Sequence, residues 1–294
     1  MAKPKKTAAD FPPQVLDAFH QYVHGGLSRR DFLERASQFV VGGMTAAALL
    51  ESLSPNYAQA QDVAPDDARI ETEYLIYPSP QNWQGYLAKP ANVTGPLPAV
   101  VVIHENRGRN PYIEDVTRRL AIAGFMAMAP DALTSFGGWP GNDDEGRTLQ
   151  SRLDGAEMFT NWVAAFDYLK SHPQSNGKVG AVGFCYGGGV VNQMAAVLPD
   201  LAAGVPYYGR QVPAARVAAI EAPLLIHNAG LDAGILAGAP AFEAALDAAG
   251  KTYDAYVYAG VNHGFHNNST PRFDEAAAEL SWQRTLAFFD KYLR

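Results

Sequence analysis

The chain has 294 residues, 48% of them hydrophobic and 18% charged, enough for one large α/β domain or two small ones. A net charge of −7 with no long basic run gives no reason to expect a nucleic-acid partner. The single cysteine, Cys185, excludes an intramolecular disulfide, and no apolar run is long enough for a stable membrane span.

Residues 1–68 differ in character from residues 69–294. Val15, Leu16, Phe19, Tyr22 and Val23 form an amphipathic stripe. Ser28-Arg29-Arg30-Asp31-Phe32-Leu33 comes next, then an apolar stretch from Phe39 to Leu50 and the small-residue run Ala58-Gln59-Ala60. A basic start, short apolar middle and small-x-small end make an export signal. The paired arginines resemble a twin-arginine signal, although Glu34 stands where such signals carry Lys. That resemblance implies the twin-arginine machinery as a partner and a periplasmic or exported protein. The alternative is a cytoplasmic protein that keeps this segment as a helical extension, since Ser28 with Asp31 is also an acceptable helix start.

From residue 69 to 294 the pattern is that of one α/β domain. Glu71–Tyr77 reads as a strand, with Gly85–Ala88 as its partner. Pro98–Ile103 is a continuous apolar run, as in a strand buried on both faces, and it ends in His104-Glu105-Asn106-Arg107-Gly108. A helix comes after it with Ile113, Val116 and Leu120 on one side, then a strand at Phe125–Ala129. Thr134–Arg147 is rich in Gly, Pro and Asp and carries Phe136 and Trp139, so it is either a pocket wall or a surface excursion. Phe159, Trp162, Phe166 and Leu169 mark a further helix. Later strands are expected at Lys178–Val182, Leu201–Tyr208, Ala222–His227 and Tyr253–Tyr258, and helices at Gly188–Val197, Ala239–Ala249 and Asp274–Tyr292. Alternating strands and helices predict a mostly parallel sheet covered on both faces.

Between strand and helix lies Gly183-Phe184-Cys185-Tyr186-Gly187, a small-x-nucleophile-x-small elbow with Cys in the Ser position. Glycine suits the flanking positions because a Cβ there would strike neighbouring backbone. Asp232 and His263 also sit just past strands, where active-site groups gather in such sheets. Nucleophile, acid, His is the chain order of α/β-hydrolases: imidazole takes the thiol proton and carboxylate fixes the ring. Asp232 as a turn cap and His263 as a loop histidine are the plain alternatives. His104, His227, His263 and His266 show no metal-binding spacing, so no metal or other cofactor is expected.

Gly183–Gly188, Gly230-Leu231-Asp232, His263-Gly264-Phe265 and His104-Glu105-Asn106 resemble the dienelactone hydrolase family, the carboxymethylenebutenolidases, over roughly residues 70–294. The resemblance implies an α/β-hydrolase fold and a fourth catalytic residue, Glu105, that helps deprotonate the thiol. A strand-end carboxylate paired with Arg107 or Arg109 is the other reading of Glu105. It also implies an oxyanion hole from the backbone N–H groups of Tyr186 and Asn106. The family's dienelactone enzymes hold a substrate carboxylate with arginines, which Asp131–Phe136 and His266-Asn267-Asn268 lack; Arg210 and Arg272 are the substitutes within reach in sequence. Trp139, Tyr207 and Phe265 complete the expected substrate contacts. The sequence therefore predicts a cysteine-dependent hydrolase of small-molecule esters or lactones acting through an acyl-thioester. A thioesterase or acyltransferase on the same triad, or a non-catalytic binding protein with this fold, are the alternatives.

Overall fold

The computed structural model describes residues 6–40 and 44–294, so positions 41–43 of the expected apolar stretch lie outside the described residues. In chain order the helices of the N-terminal segment are α1 (Pro13–Val23), α2 (Arg29–Ser37) and α3 (Ala46–Leu53). Then come β1 (Ile70–Ile76), β2 (Gln84–Pro90), β3 (Leu97–Ile103), α4 (Pro111–Ile122), β4 (Met126–Pro130), α5 (Asp143–Gln150) and α6 (Gly155–Ser171). The chain continues through β5 (Ser175–Phe184), α7 (Tyr186–Ala195), β6 (Ala203–Tyr207), β7 (Leu224–Ala229), α8 (Ala233–Leu236), α9 (Ala239–Ala248), β8 (Tyr253–Tyr258) and α10 (Glu275–Leu293).

Eight strands form one sheet in the order β1-β2-β4-β3-β5-β6-β7-β8. β1 and β2 pair antiparallel with each other, β2 pairs antiparallel with β4, and every later pairing is parallel. This is an α/β-hydrolase architecture. β3 shows why its sequence is continuously apolar. Leu97, Ala99, Val101 and Ile103 join the core on one face with Trp162 of α6 and Met194 of α7, while Val100 and Val102 join Val116 of α4 and Phe289 of α10 on the other. β5 extends several residues before the expected strand, because its exposed start pairs with the beginning of β3 through Leu97 and Ser175.

The N-terminal helices carry a core of their own, built from Phe11, Val15, Phe19, Val23, Phe32, Leu49, Leu50 and Leu53. The amphipathic stripe read from the sequence supplies much of it. Ser28 opens α2 with a reciprocal capping box to Asp31, the helix-start reading of that motif. The connection onward is tied down rather than free. Asn56 N–H donates to Ser269 O at 2.7 Å, Val63 N–H donates to Asp115 at 2.9 Å, and the buried Arg118 donates to Val63 O at 2.7 Å. The linker that follows the three helices is thereby fixed to the α/β domain.

Candidate active site

Cys185 caps α7 at the end of β5, with φ 57° and ψ −114°, a backbone conformation that L side chains rarely adopt. Close packing enforces it. A Cβ on Gly183 would lie 2.2 Å from Gly187 O, and one on Gly187 would lie 2.3 Å from Ile103 O. A Cβ on Gly188 would lie 2.5 Å from Tyr207 O. The elbow is thus wedged between β3 and the end of β6, and Cys185 N–H donates to Tyr207 O at 3.1 Å.

The structure brings Cys185, Asp232 and His263 together. His263 Nδ1 lies 2.5 Å from Asp232 Oδ2, and Asp232 also accepts from Ile235 N–H at the start of α8. Burial works against charge on the imidazole, but Cys185 and Asp232 outweigh it and raise the His263 pKa. Asp232 is held lower than usual: burial opposes its charge, and the hydrogen bond and charge of His263 prevail. The backbone N–H groups of Tyr186, first residue of α7, and Asn106, just after β3, belong to the same region of the fold, and both side chains line the adjoining cavity. Glu105 is engaged with other partners. Its carboxylate is buried, pairs with Arg107 at 3.0 Å and accepts from Asn267 at 3.1 Å. Arg107 in turn pairs with Asp143 at 2.7 Å, which also accepts from Tyr57.

Of the expected substrate contacts, Tyr207, Phe265, Arg210 and Trp139 line neither of the cavities that border His24 and His263. Tyr207 is fully buried, its hydroxyl bonded to Thr285, because it faces α10 beneath the site. Phe265 is fully buried among Tyr207, Tyr208 and Tyr258. Arg210 lines a separate cavity with Gln193, Val212 and Phe242. Trp139 packs edge-on against Tyr57 after the 131–138 turn that Asp131 organises. Arg272 is different. Its guanidinium is buried, with Nε and Nη1 lacking any hydrogen-bond partner, and it stacks on Phe19 of α1 at 5.2 Å. Burial and then Arg107 lower its pKa from the usual arginine value, and Glu105, Cys185 and Tyr208 work the other way. The 134–147 segment is partly wall: Asp144 and Arg147 of α5 line the cavity beside Tyr186.

The feature missed from the sequence is the role of α1. His24, at its C-terminus, places Nε2 3.4 Å from Cys185 Sγ and 3.2 Å from His263 Nε2. His20 packs against both His24 and His263, with ring centroids 4.3 and 5.2 Å away. Asn106 donates to Val23 O at 2.7 Å, which fixes the helix end over the strand. α1 thereby separates two cavities. One of about 520 Å³ is lined by Tyr22, His24, Asn106, Arg147, Met158 and Tyr186; the other, of about 650 Å³, by His20, Asp232, His263 and Arg272. His20-Gln21-Tyr22-Val23-His24 was the available signal, two histidines at i, i+4 on one helical face. Its position in a segment read as an export signal concealed it.

A model of the Dienelactone hydrolase family matches residues 83–293, and a YqhI-like model matches residues 2–42. The "Putative carboxymethylenebutenolidase" of Escherichia coli O157:H7 is 32% identical over 243 residues, covering 78% of this chain and 89% of its own. The "Putative hydrolase fragment YghX" of Escherichia coli (strain K12) is 59% identical over 114 residues, 38% of this chain and 97% of that one. Among solved structures, a "Putative Dienelactone Hydrolase" from Klebsiella pneumoniae subsp. pneumoniae MGH 78578 superposes with a TM-score of 0.69 at 29% identity, covering 76% of this chain and 99% of its own.

The histidines of α1 make docking of the segment pH-dependent. Burial, then His24 and His263, push the His20 pKa down to about 3, and burial lowers His24 with Arg272 and Arg107 adding to it. Asp232 pulls the other way on both without prevailing. Because the docked values lie below those of free imidazole, docking is fully favoured above about pH 6.5 and weakens as pH falls below it. Hydrogen exchange of the α1 amides should therefore speed up severalfold between about pH 7.5 and about pH 5, after correction for intrinsic rates, while β3 and β5 stay protected. Equal protection of α1 at both values would contradict this.

Proposed function

This chain belongs to the dienelactone hydrolase family, and on that premise we propose that it is a cysteine-dependent hydrolase of carboxylic esters or lactones that works through an acyl-thioester on Cys185. The observation that carries the reading is the Cys185 thiol held on a strained strand–helix turn beside a hydrogen-bonded His263–Asp232 pair. A thiol in that setting passes its proton to His263, and the raised His263 pKa favours the resulting ion pair.

The thiolate attacks the carbonyl carbon, and the carbonyl oxygen takes the electron pair against the N–H groups of Tyr186 and Asn106. Collapse expels the alkoxide, which His263 protonates, leaving an acyl group on sulfur. Water then adds, giving its proton to His263, and the thiolate leaves as the acid is released. Asp232 holds Nδ1–H throughout and supports the imidazolium charge. A carbonyl reaches Sγ only once His24 has moved from its 3.4 Å contact, so turnover includes a displacement of α1 or of that side chain. Glu105 becomes a partner of the thiol on this reading only by exchanging its Arg107 contact when substrate arrives.

Arg272 supports a substrate class. A buried guanidinium with unpartnered N–H groups, near Cys185 and lining the cavity of His263, suits a carboxylate carried by the ester or lactone.

Turnover of a neutral aryl ester, a carboxylate-bearing enol-lactone and an acyl-thioester tests both statements. Cys185→Ala should abolish all hydrolysis, and Arg272→Gln should raise KM about tenfold or more for the carboxylate-bearing lactone while sparing the neutral ester. Activity surviving in Cys185→Ala, or equal losses on both substrates in Arg272→Gln, would contradict the reading; preference for the thioester would favour a thioesterase.

For residues 1–68 we propose retention as a cap. Its support is the helical core of α1–α3 and its hydrogen bonds to the catalytic domain. Ser28–Leu33 supports the second reading, twin-arginine export to the periplasm. The intact mass of the protein recovered from its native host separates the two: a chain keeping residues 6–60 supports the cap, and a chain beginning near Gln61 supports cleavage after export.

A further inference from the structure

We propose that a borderline-soft divalent transition-metal ion, of which zinc is the type, binds across the seam between α1 and the catalytic domain, held by His20, His24, His263 and Cys185, and shuts the active site. His20, His24 and His263 present nitrogens that all lie within 4.8 Å of one another. His24 Nε2 lies 3.2 Å from His263 Nε2 and 3.4 Å from Cys185 Sγ, so His24 already stands at ligand spacing from two further donors. Two ligand atoms on one tetrahedral zinc stand about 3.3–3.6 Å apart, given Zn–N of about 2.0–2.1 Å and Zn–S of about 2.3 Å. His20 is half-buried on the face of α1 one turn before His24, its donor nitrogen within 4.8 Å of the other two, and on this proposal it rotates to complete the shell.

The rings are oriented for this. His24 Nδ1 is 2.8 Å from His20 O, and His263 Nδ1 is bonded to Asp232. Each Nδ1 therefore carries a proton toward an oxygen acceptor, and once His263 has given up its Nε2 proton each Nε2 directs a lone pair at the other. Two lone pairs at that distance repel unless a proton or cation lies between them. Fixing the far nitrogen on an oxygen is also how proteins orient metal-binding imidazoles and raise their basicity. Burial disfavours the charged form of both α1 histidines, which keeps them neutral and able to ligate.

The charges close as well. On binding, the Cys185–His263 pair releases its one shared proton to solvent, and the thiolate with the Asp232 carboxylate matches the two charges of the ion. Arg272 and Arg107 are the opposing cations nearby, and Glu105 offsets Arg107. His24 is exposed along one edge, which gives the ion a path in. The bound ion takes the sulfur and the His263 Nε2 lone pair that hydrolysis needs and pins α1 in place. That inhibition rests on the proposed role of Cys185; the binding does not.

The test is Co2+ substitution of the full chain read by absorption, together with Zn2+ inhibition of aryl-ester turnover. One Co2+ per chain with intense tetrahedral visible bands and a thiolate charge-transfer band, the latter lost in Cys185→Ala, is expected. His20→Ala and His24→Ala should each weaken Co2+ binding and Zn2+ inhibition by about tenfold or more, with each variant's own metal-free rate as reference. A pale octahedral spectrum, or unchanged affinity in both variants, would overturn the proposal. X-ray absorption of the Zn2+-loaded wild type decides independently of how the variants fold. Three nitrogens and one sulfur support the site, and a shell without sulfur contradicts it. Metal binding without any ester turnover would preserve the site and count against the hydrolase reading alone.

Discussion

The turn at Cys185 is the constraint on which the rest of the molecule depends. Three glycines let backbone approach backbone at distances no Cβ tolerates, and the residue between them accepts a positive φ. That arrangement fixes how closely β5 and α7 lie against β3 and the end of β6. It also sets the direction in which the thiol projects, toward the loops carrying Asp232 and His263. The fully buried strands and the two apolar layers provide the rigidity that keeps such a conformation from relaxing.

Upon this scaffold the N-terminal segment imposes a second layer of control. Its His24 meets Cys185 and His263 directly, and its Phe19 covers the guanidinium of Arg272. On the proposed reading, chemistry, substrate recognition and access are therefore coupled through one short helix. Any substrate large enough to occupy the cavity beside Tyr186 must come to terms with His24 at its edge.

Much of this was legible in the sequence, and the reasons differ by element. β3 could be read because both of its faces are buried, and β8 matches its expected bounds because turn residues punctuate it. The elbow could be read because glycine spacing records backbone contacts directly. That Asp232 and His263 meet past neighbouring strands was expected from chain order. Tyr207 and Phe265 could not be sorted from pocket residues, since an aromatic ring next to a candidate site residue looks the same whether it points up into a cavity or down onto α10. The covering of the site by α1 was hidden for a different reason. An amphipathic helix with an apolar stretch after it carries one local pattern whether it is exported, cleaved or docked, and only the long-range contacts of His24 and Asn106 distinguish these.

The central claim is that Cys185 carries the acyl group. Acid-quenching the protein during steady turnover of a slowly hydrolysed aryl ester, followed by intact-mass and peptide mass spectrometry, tests it most directly. The account predicts one acyl increment per chain, located on the peptide containing Cys185 and released by hydroxylamine. Turnover without any adduct on that peptide, or with the acyl group on another residue, would contradict it.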